Sequence, residues 1–163
     1  MVLLIFVLYN KSMLCIPIEH CSSYIGKQTG ESDWFQINQA RINQFADVTG
    51  DQQFIHIDSE KASPLFGATI AHGFLTLSLL PKLTERSSLV PEGVQMTFNY
   101  GLDRVRFINP VVVDSFVKAT TTLVSFREKE PGNWLFKNEV TLHIKGQENP
   151  AFVAETLTLF VMD

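Results

Sequence analysis

Two hydrophobic rhythms divide the chain. In the second half, apolar and polar residues alternate: Val140, Leu142 and Ile144 against Thr141, His143 and Lys145, the two-residue period of a half-buried strand. Ala151 to Met162 repeats the alternation, with Val153, Leu157, Leu159 and Val161 as its apolar set. Val94 to Tyr100, Val105 to Phe107, Val111 to Val113 and the Val-, Thr- and Phe-rich Ser115 to Phe126 are further strand candidates. Asn109-Pro110, Pro131-Gly132-Asn133 and Gly146 to Pro150 punctuate them as turns. Connections this short predict an antiparallel meander with one polar face.

The first half has a helical rhythm. Cys21 to Glu31 reads as a surface loop, and Trp34 to Ile37 as a short extended segment. Asn38 is a good N-cap, with Ile37 before it placed to staple onto Ile42. Ile42, Phe45, Ala46 and Thr49 then share a face, and Gly50 suits a left-handed stop. Asp58 to Ala62 predicts a short helical turn before Pro64 and Gly67 break the chain. From Ala71 to Leu83 the pattern is apolar on every side: Leu75, Leu77, Leu79, Leu80 and Leu83 leave no solvent stripe. Such a helix needs to be enclosed, with Pro81 kinking or ending it. One buried helix with about five strands predicts an α+β fold, a curved antiparallel sheet wrapped around a central apolar helix.

Length and charge narrow the partners. The 163 residues suffice for one domain with a real core. A net charge of −4 without a long basic run argues against nucleic acid. Cys15 and Cys21 fit neither a redox pair nor a zinc ribbon, so reduced thiols are expected. The apolar run Val2 to Tyr9 is too short to span a membrane and lacks the basic residues that open a secretory signal. Residues 1–19 are therefore set apart as an N-terminal extension, 20–163 form the single domain, and a cytoplasmic location is expected.

The chemistry concentrates between Phe45 and Leu83. Asp51 and His56 lie five positions apart, a candidate acid/base pair. Asp51 just follows a predicted helix C-terminus, where the macrodipole is expected to raise its pKa; equally, an Asp after Gly50 can serve only a turn. Ala71-His72-Gly73 opens the apolar helix, whose first amides can hold developing negative charge. Asp51, His56 and His72 are a conceivable ligand set, but no three-ligand zinc spacing is present, and neither metal nor cofactor is expected. Arg104 and Arg106 could meet a phosphate, though a solvated strand face accounts for them.

The string Phe45-Ala46-Asp47-Val48-Thr49-Gly50-Asp51-Gln52-Gln53-Phe54-Ile55-His56 resembles the signature of MaoC-like (R)-specific enoyl-CoA hydratases, in the branch that includes nodulation protein N. Phe66 to Gly73 also resembles that family's entry into its central helix. Gln53-Phe54 replaces the family's Asn-Pro, which puts substrate detail in doubt more than the Asp and His. The family's later helical Ser or Thr has no match here, because Pro81 falls there. The resemblance implies a hot-dog fold, a homodimer, and reversible syn addition of water to a trans-2-enoyl thioester of CoA or acyl-carrier protein. It implies Asp51 and His56 as the catalytic pair and Ala71, His72 and Gly73 as oxyanion and substrate contacts. Two alternatives stay open. A hot-dog thioesterase would carry an acid on its central helix, which Phe74 to Leu83 lacks. A non-catalytic acyl-thioester-binding subunit would lose Asp51 or His56, and both are present.

Overall fold

In the computed structural model, which describes residues 14–85 and 88–162, the first helix begins where its capping chemistry places it. Helix α1 (Gln39–Thr49) starts as the Asn38 side chain accepts the Arg41 amide, with Ile37 and Ile42 buried on either side of the cap. It stops at left-handed Gly50. A one-turn helix α2 (Phe54–Ile57) follows, absent from the sequence reading. Helix α3 (Ser59–Phe66) is longer than the predicted turn and passes through Pro64. The carbonyl that loses its donor there belongs to Glu60, on an exposed turn where water can serve it.

The single central helix predicted over Ala71 to Leu83 is instead two short ones, α4 (Gly73–Ser78) and α5 (Leu80–Thr84). Pro81 has no amide for the carbonyl of Leu77, so the ladder breaks at Leu79. Nor is the pair enclosed on every side. Phe74 is 70% exposed, and Ser78 and Pro81 are exposed as well.

Strands β1 (Leu14–Ile16), β2 (Gln28–Glu31), β3 (Phe35–Gln36), β4 (Leu89–Pro91), β5 (Val94–Phe107), β6 (Phe116–Glu130), β7 (Asn133–Ile144) and β8 (Phe152–Met162) complete the fold. β1 pairs in parallel with β4, giving Leu14–Ile16 a structural role; the Val2 to Tyr9 run lies outside the described residues. The main sheet runs β2-β6-β7-β8-β5 and is antiparallel, with β3 also on β6. The predicted Cys21 to Glu31 loop is in fact a 3-10 turn (Ile18–Tyr24) followed by β2. Two predicted strands merge into β5, whose register shifts let it absorb Tyr100 and Asp103 without ending. Val111 to Val113 is not a strand; only Val112 makes an isolated bridge, to Ile70.

The sequence reading also mistook the face of β8. Its buried residues are Phe152, Ala154 and Phe160, while Val153, Leu157, Leu159 and Val161 are only half-buried. Pairing decides this: Val140 sits opposite Ala154, and Leu142 opposite Phe152. Two apolar clusters form on the inner side. One packs α1, α4 and α5 against Val117, Ala119, Val140, Leu142 and Ala154; the other gathers Leu123, Phe136 and Phe160 with Leu89 and Cys21. Among the described residues no helix is long and apolar enough to cross a membrane.

Candidate active site

Three local devices aim the polar groups at one spot. Gly50 turns the chain after α1, and the Gln53 side chain donates to Asp51 Oδ1 at 3.1 Å. The first turn of α2 then carries His56 inward, where it is buried. Its Nδ1 lies 2.7 Å from the Ile70 carbonyl. A carbonyl only accepts, so Nδ1 bears the proton and Nε2 keeps a free lone pair. Ile70 in turn donates its amide to Ile55, tying the α2 turn to the strand-like segment before α4.

His72 stacks on His56, ring centroids 3.7 Å apart and planes 26° from parallel. Its Nε2 lies 2.9 Å from the Asp51 backbone carbonyl and therefore donates to it. The Asp51 Oδ2 is 4.0 Å from the same nitrogen. His72 Nδ1 is buried and has no hydrogen-bond partner among the described residues. The ring thus fixes the Asp51 backbone and backs His56, and lies behind the reacting surface.

A cavity of about 280 Å³ opens beside His56, bounded by Ile70, Ala71, Gly73, Thr76, Phe107 and Asn109 among others. Gly73 is the first residue of α4, so its amide has no partner within the helix. A Cβ at Gly73 would lie 3.0–3.1 Å from the Phe107 ring, and glycine lets that ring and any ligand approach the backbone. Ala71 differs: its amide already donates to the Val111 carbonyl at 2.8 Å, so it supplies wall and no free donor. Val113 donates to Thr69 beside it, and Val112 bridges Ile70. The Val111 to Val113 segment is a strap on the site.

The electrostatics correct one expectation. The Asp51 carboxyl is held below the usual carboxylate range, not above it, chiefly by the Gln53 donor and further by the imidazoles of His72 and His56. These specific partners outweigh a dipole whose end the exposed carboxylate shares with water. Burial pushes the His56 imidazole down, helped by His72 and opposed by the Ile70 carbonyl and Asp51. Both groups therefore hold their basic forms at neutral pH.

Ligand atoms of Asp51, His56 and His72 lie within 4.8 Å of one another. The nearly parallel rings direct their in-plane lone pairs side by side, and two ring nitrogens already face carbonyls, so these residues fit a metal poorly. Arg104 and Arg106 line a pocket of their own with Glu139 and Glu155, which meets the His56 cavity at Ile108. The sequence reading missed Gln39. Its amide donates to the His56 carbonyl at 2.8 Å, and its oxygen accepts from buried Thr69. No spacing signal marks a residue that acts from the first turn of a preceding helix.

Comparison with known proteins identifies the family. The family model of the MaoC like domain matches residues 21–143. The 3-hydroxyacyl-thioester dehydratase Z of Mycobacterium tuberculosis is 45% identical over 137 residues, covering 83% of this chain and 90% of its own length. Nodulation protein N of Rhizobium leguminosarum is 41% identical, with 86% and 89% covered. In three dimensions, the monoamine oxidase regulatory protein of Archaeoglobus fulgidus superposes with a TM-score of 0.74 at 24% identity, covering 93% of this chain and 99% of that one.

Proposed function

Because this chain belongs to the MaoC-like dehydratase family, with the hot-dog fold of its structural neighbours, we propose that it is an (R)-specific enoyl-CoA hydratase/dehydratase. The observation that carries the reading is the buried His56, its Nδ1 engaged by the Ile70 carbonyl and its ring beside Asp51, at a cavity that the first residue of α4, Gly73, also lines. In hydration, a water held between Asp51 and His56 gives its oxygen to the β carbon. His56 Nε2 takes the proton, and returns one to the α carbon on the same face as the thioester enolate collapses. The Gly73 N–H accommodates the negative charge on the thioester oxygen meanwhile. Asp51 stays a carboxylate that orients the water. Dehydration is the same path reversed, and the name of the mycobacterial relative, a 3-hydroxyacyl-thioester dehydratase, supports this substrate class.

The protein works as a homodimer in this reading. β5 ends the sheet, is fourteen residues long, and exposes Met96, Phe98, Tyr100 and Leu102. An edge that long and apolar is a pairing surface, and a second β5 is its natural complement.

The test is loss of enoyl absorbance on crotonyl-CoA, with free thiol read in the same cuvette. Absorbance loss without thiol, abolished by Asp51→Asn and by His56→Ala, supports the hydratase. Thiol release moves the protein to the thioesterases, and binding without turnover makes it a carrier of acyl thioesters.

A further inference from the structure

A band of polar side chains crosses the inner face of the sheet between its apolar clusters. Thr121 on β6, Asn138 on β7, Thr156 and Thr158 on β8 and Asn99 on β5 line a small cavity of about 60 Å³ beneath Leu80 and Pro81. They lie side by side across the strands: Asn138 faces Thr156, and Thr158 faces Asn99. The band separates the two apolar clusters. Thr121 is 1% exposed, yet its hydroxyl has no hydrogen-bond partner among the described residues. A buried hydroxyl left unpaired is costly, so a native chain rarely keeps one without something to meet it.

A larger, mostly apolar trough of about 450 Å³ leads to this cavity. Leu77 and Leu102 line the trough, while Leu80, Pro81, Asn99 and Thr156 bound both spaces. The trough begins at Leu77, one residue past Thr76 on the wall of the His56 cavity. From Thr76 to Thr84, which also bounds the polar end, is roughly 12 Å along the helices. The His56 cavity, the apolar trough and its polar end therefore follow one another along the same pair of helices.

We infer that the Thr121–Asn138 cavity binds an oxygen function on the substrate's acyl chain. The enzyme then prefers enoyl thioesters whose chain carries a hydroxyl or keto group several carbons beyond the reacting double bond. This rests on the hydratase reading. A plain alkyl end would leave Thr121 and its amide neighbour facing methyl groups. An oxygen there accepts from the Thr121 hydroxyl, and a hydroxyl can also donate to Asn138.

The experiment compares trans-2-octenoyl-CoA with its ω-hydroxy analogue on the full chain, with crotonyl-CoA, too short to enter the trough, as reference. The expected result is kcat/KM about tenfold or more higher for the hydroxylated chain. Thr121→Val, which keeps shape and removes the hydroxyl, should erase that preference without changing crotonyl-CoA turnover. Asn138→Leu is the second variant if the first does not fold. Equal rates, a preference for the alkyl chain, or a ratio unmoved by both substitutions overturns the inference. Calorimetric binding of octanoyl-CoA and ω-hydroxyoctanoyl-CoA reads the same preference without turnover. An inactive protein that still prefers the hydroxylated ligand thus sinks the hydratase reading alone, and one that binds both equally sinks the inference.

Discussion

Gly73 is where stability and chemistry can be pulled apart. Gly73→Ala places a methyl 3.0 Å from Phe107 Cε1 and 3.1 Å from Cδ1 and Cζ. Carbon pairs prefer about 3.5–4.0 Å, so the ring must retreat by roughly 0.5 Å. It has room to do so, being 43% exposed and touching Phe74 and Phe152 edge-on with centroids 5.9 Å and 6.0 Å away. Overpacking typically costs about 1–3 kcal/mol, and here the low end applies. Replacing glycine in a helix returns up to about 1 kcal/mol. The net loss is at most about 1 kcal/mol, a fall in Tm of roughly 2–4 °C for a chain this long. The methyl also stands over the amide proposed to meet the thioester oxygen. Losing that contact costs about 3 kcal/mol, near a hundredfold in kcat. Thermal melts beside crotonyl-CoA kinetics measure both. Adding Phe107→Leu should recover the Tm and leave activity low, since the methyl remains. If Gly73→Ala keeps kcat/KM within about threefold of the parent, the thioester does not lie against this amide and the oxyanion assignment is wrong.

Asp51→Asn and His56→Ala should each cost about 10²–10⁴-fold in kcat, and Asp51→Asn should leave the melt almost unchanged because that side chain is 42% exposed. The acid limb of kcat/KM should fall below the ordinary imidazole value near 6.5, since both Asp51 and His56 are shifted down, and protonating His56 removes the base while protonating Asp51 removes the carboxylate that orients the water; a limb above 6.5 would contradict those environments. His56 also contributes to stability with a fixed sign. The unfolded imidazole takes up its proton near pH 6.5 while the folded one resists, so stability should decline as pH drops from there to the lowered folded value, and His56→Gln should flatten that decline. Gln39→Leu leaves the Thr69 hydroxyl, 2% exposed, without its acceptor; about 2 kcal/mol and a Tm drop of roughly 4–8 °C are expected, read by denaturant and thermal melts. Phe98→Asp with Tyr100→Asp on β5 should shift sedimentation from dimer to monomer; a parent already monomeric at micromolar concentration would remove the proposed interface.

Much of this architecture is readable from local chemistry. Asn38, the Ile37–Ile42 staple and Gly50 define α1 because capping uses neighbours in sequence. The Asp51–His56 spacing and the Ala71-His72-Gly73 entry are likewise local, and the fold brings all of them to one place. What fails is whatever pairing decides. The face of β8 follows from its register on β7, where Thr156 and Thr158 turn inward against the apparent alternation. The join across Tyr100 and Asp103 in β5 depends on bulges fixed by β8. The Asp51 shift has the opposite sign to the one its own helix dictates, because Gln53 and two imidazoles outweigh that dipole. Gln39 escaped because its partners, Thr69 and the His56 carbonyl, lie far along the chain.

The Val111–Val113 strap has a consequence for motion. Val113 donates to Thr69 and Ala71 donates to Val111 on one side, and Ile70 between them is bonded to Ile55 and His56 on the other. This segment behaves as the middle of a woven patch, and its amides can exchange with solvent only when the whole patch opens. Hydrogen exchange at Ile70 and Ala71 should accordingly track global unfolding, while the Gly132 amide, held by the exposed Glu128 side chain, exchanges sooner. Admission to the cavity then falls to side chains at its rim such as the half-exposed Phe107, since exposed side chains reorient in picoseconds to nanoseconds without any backbone opening.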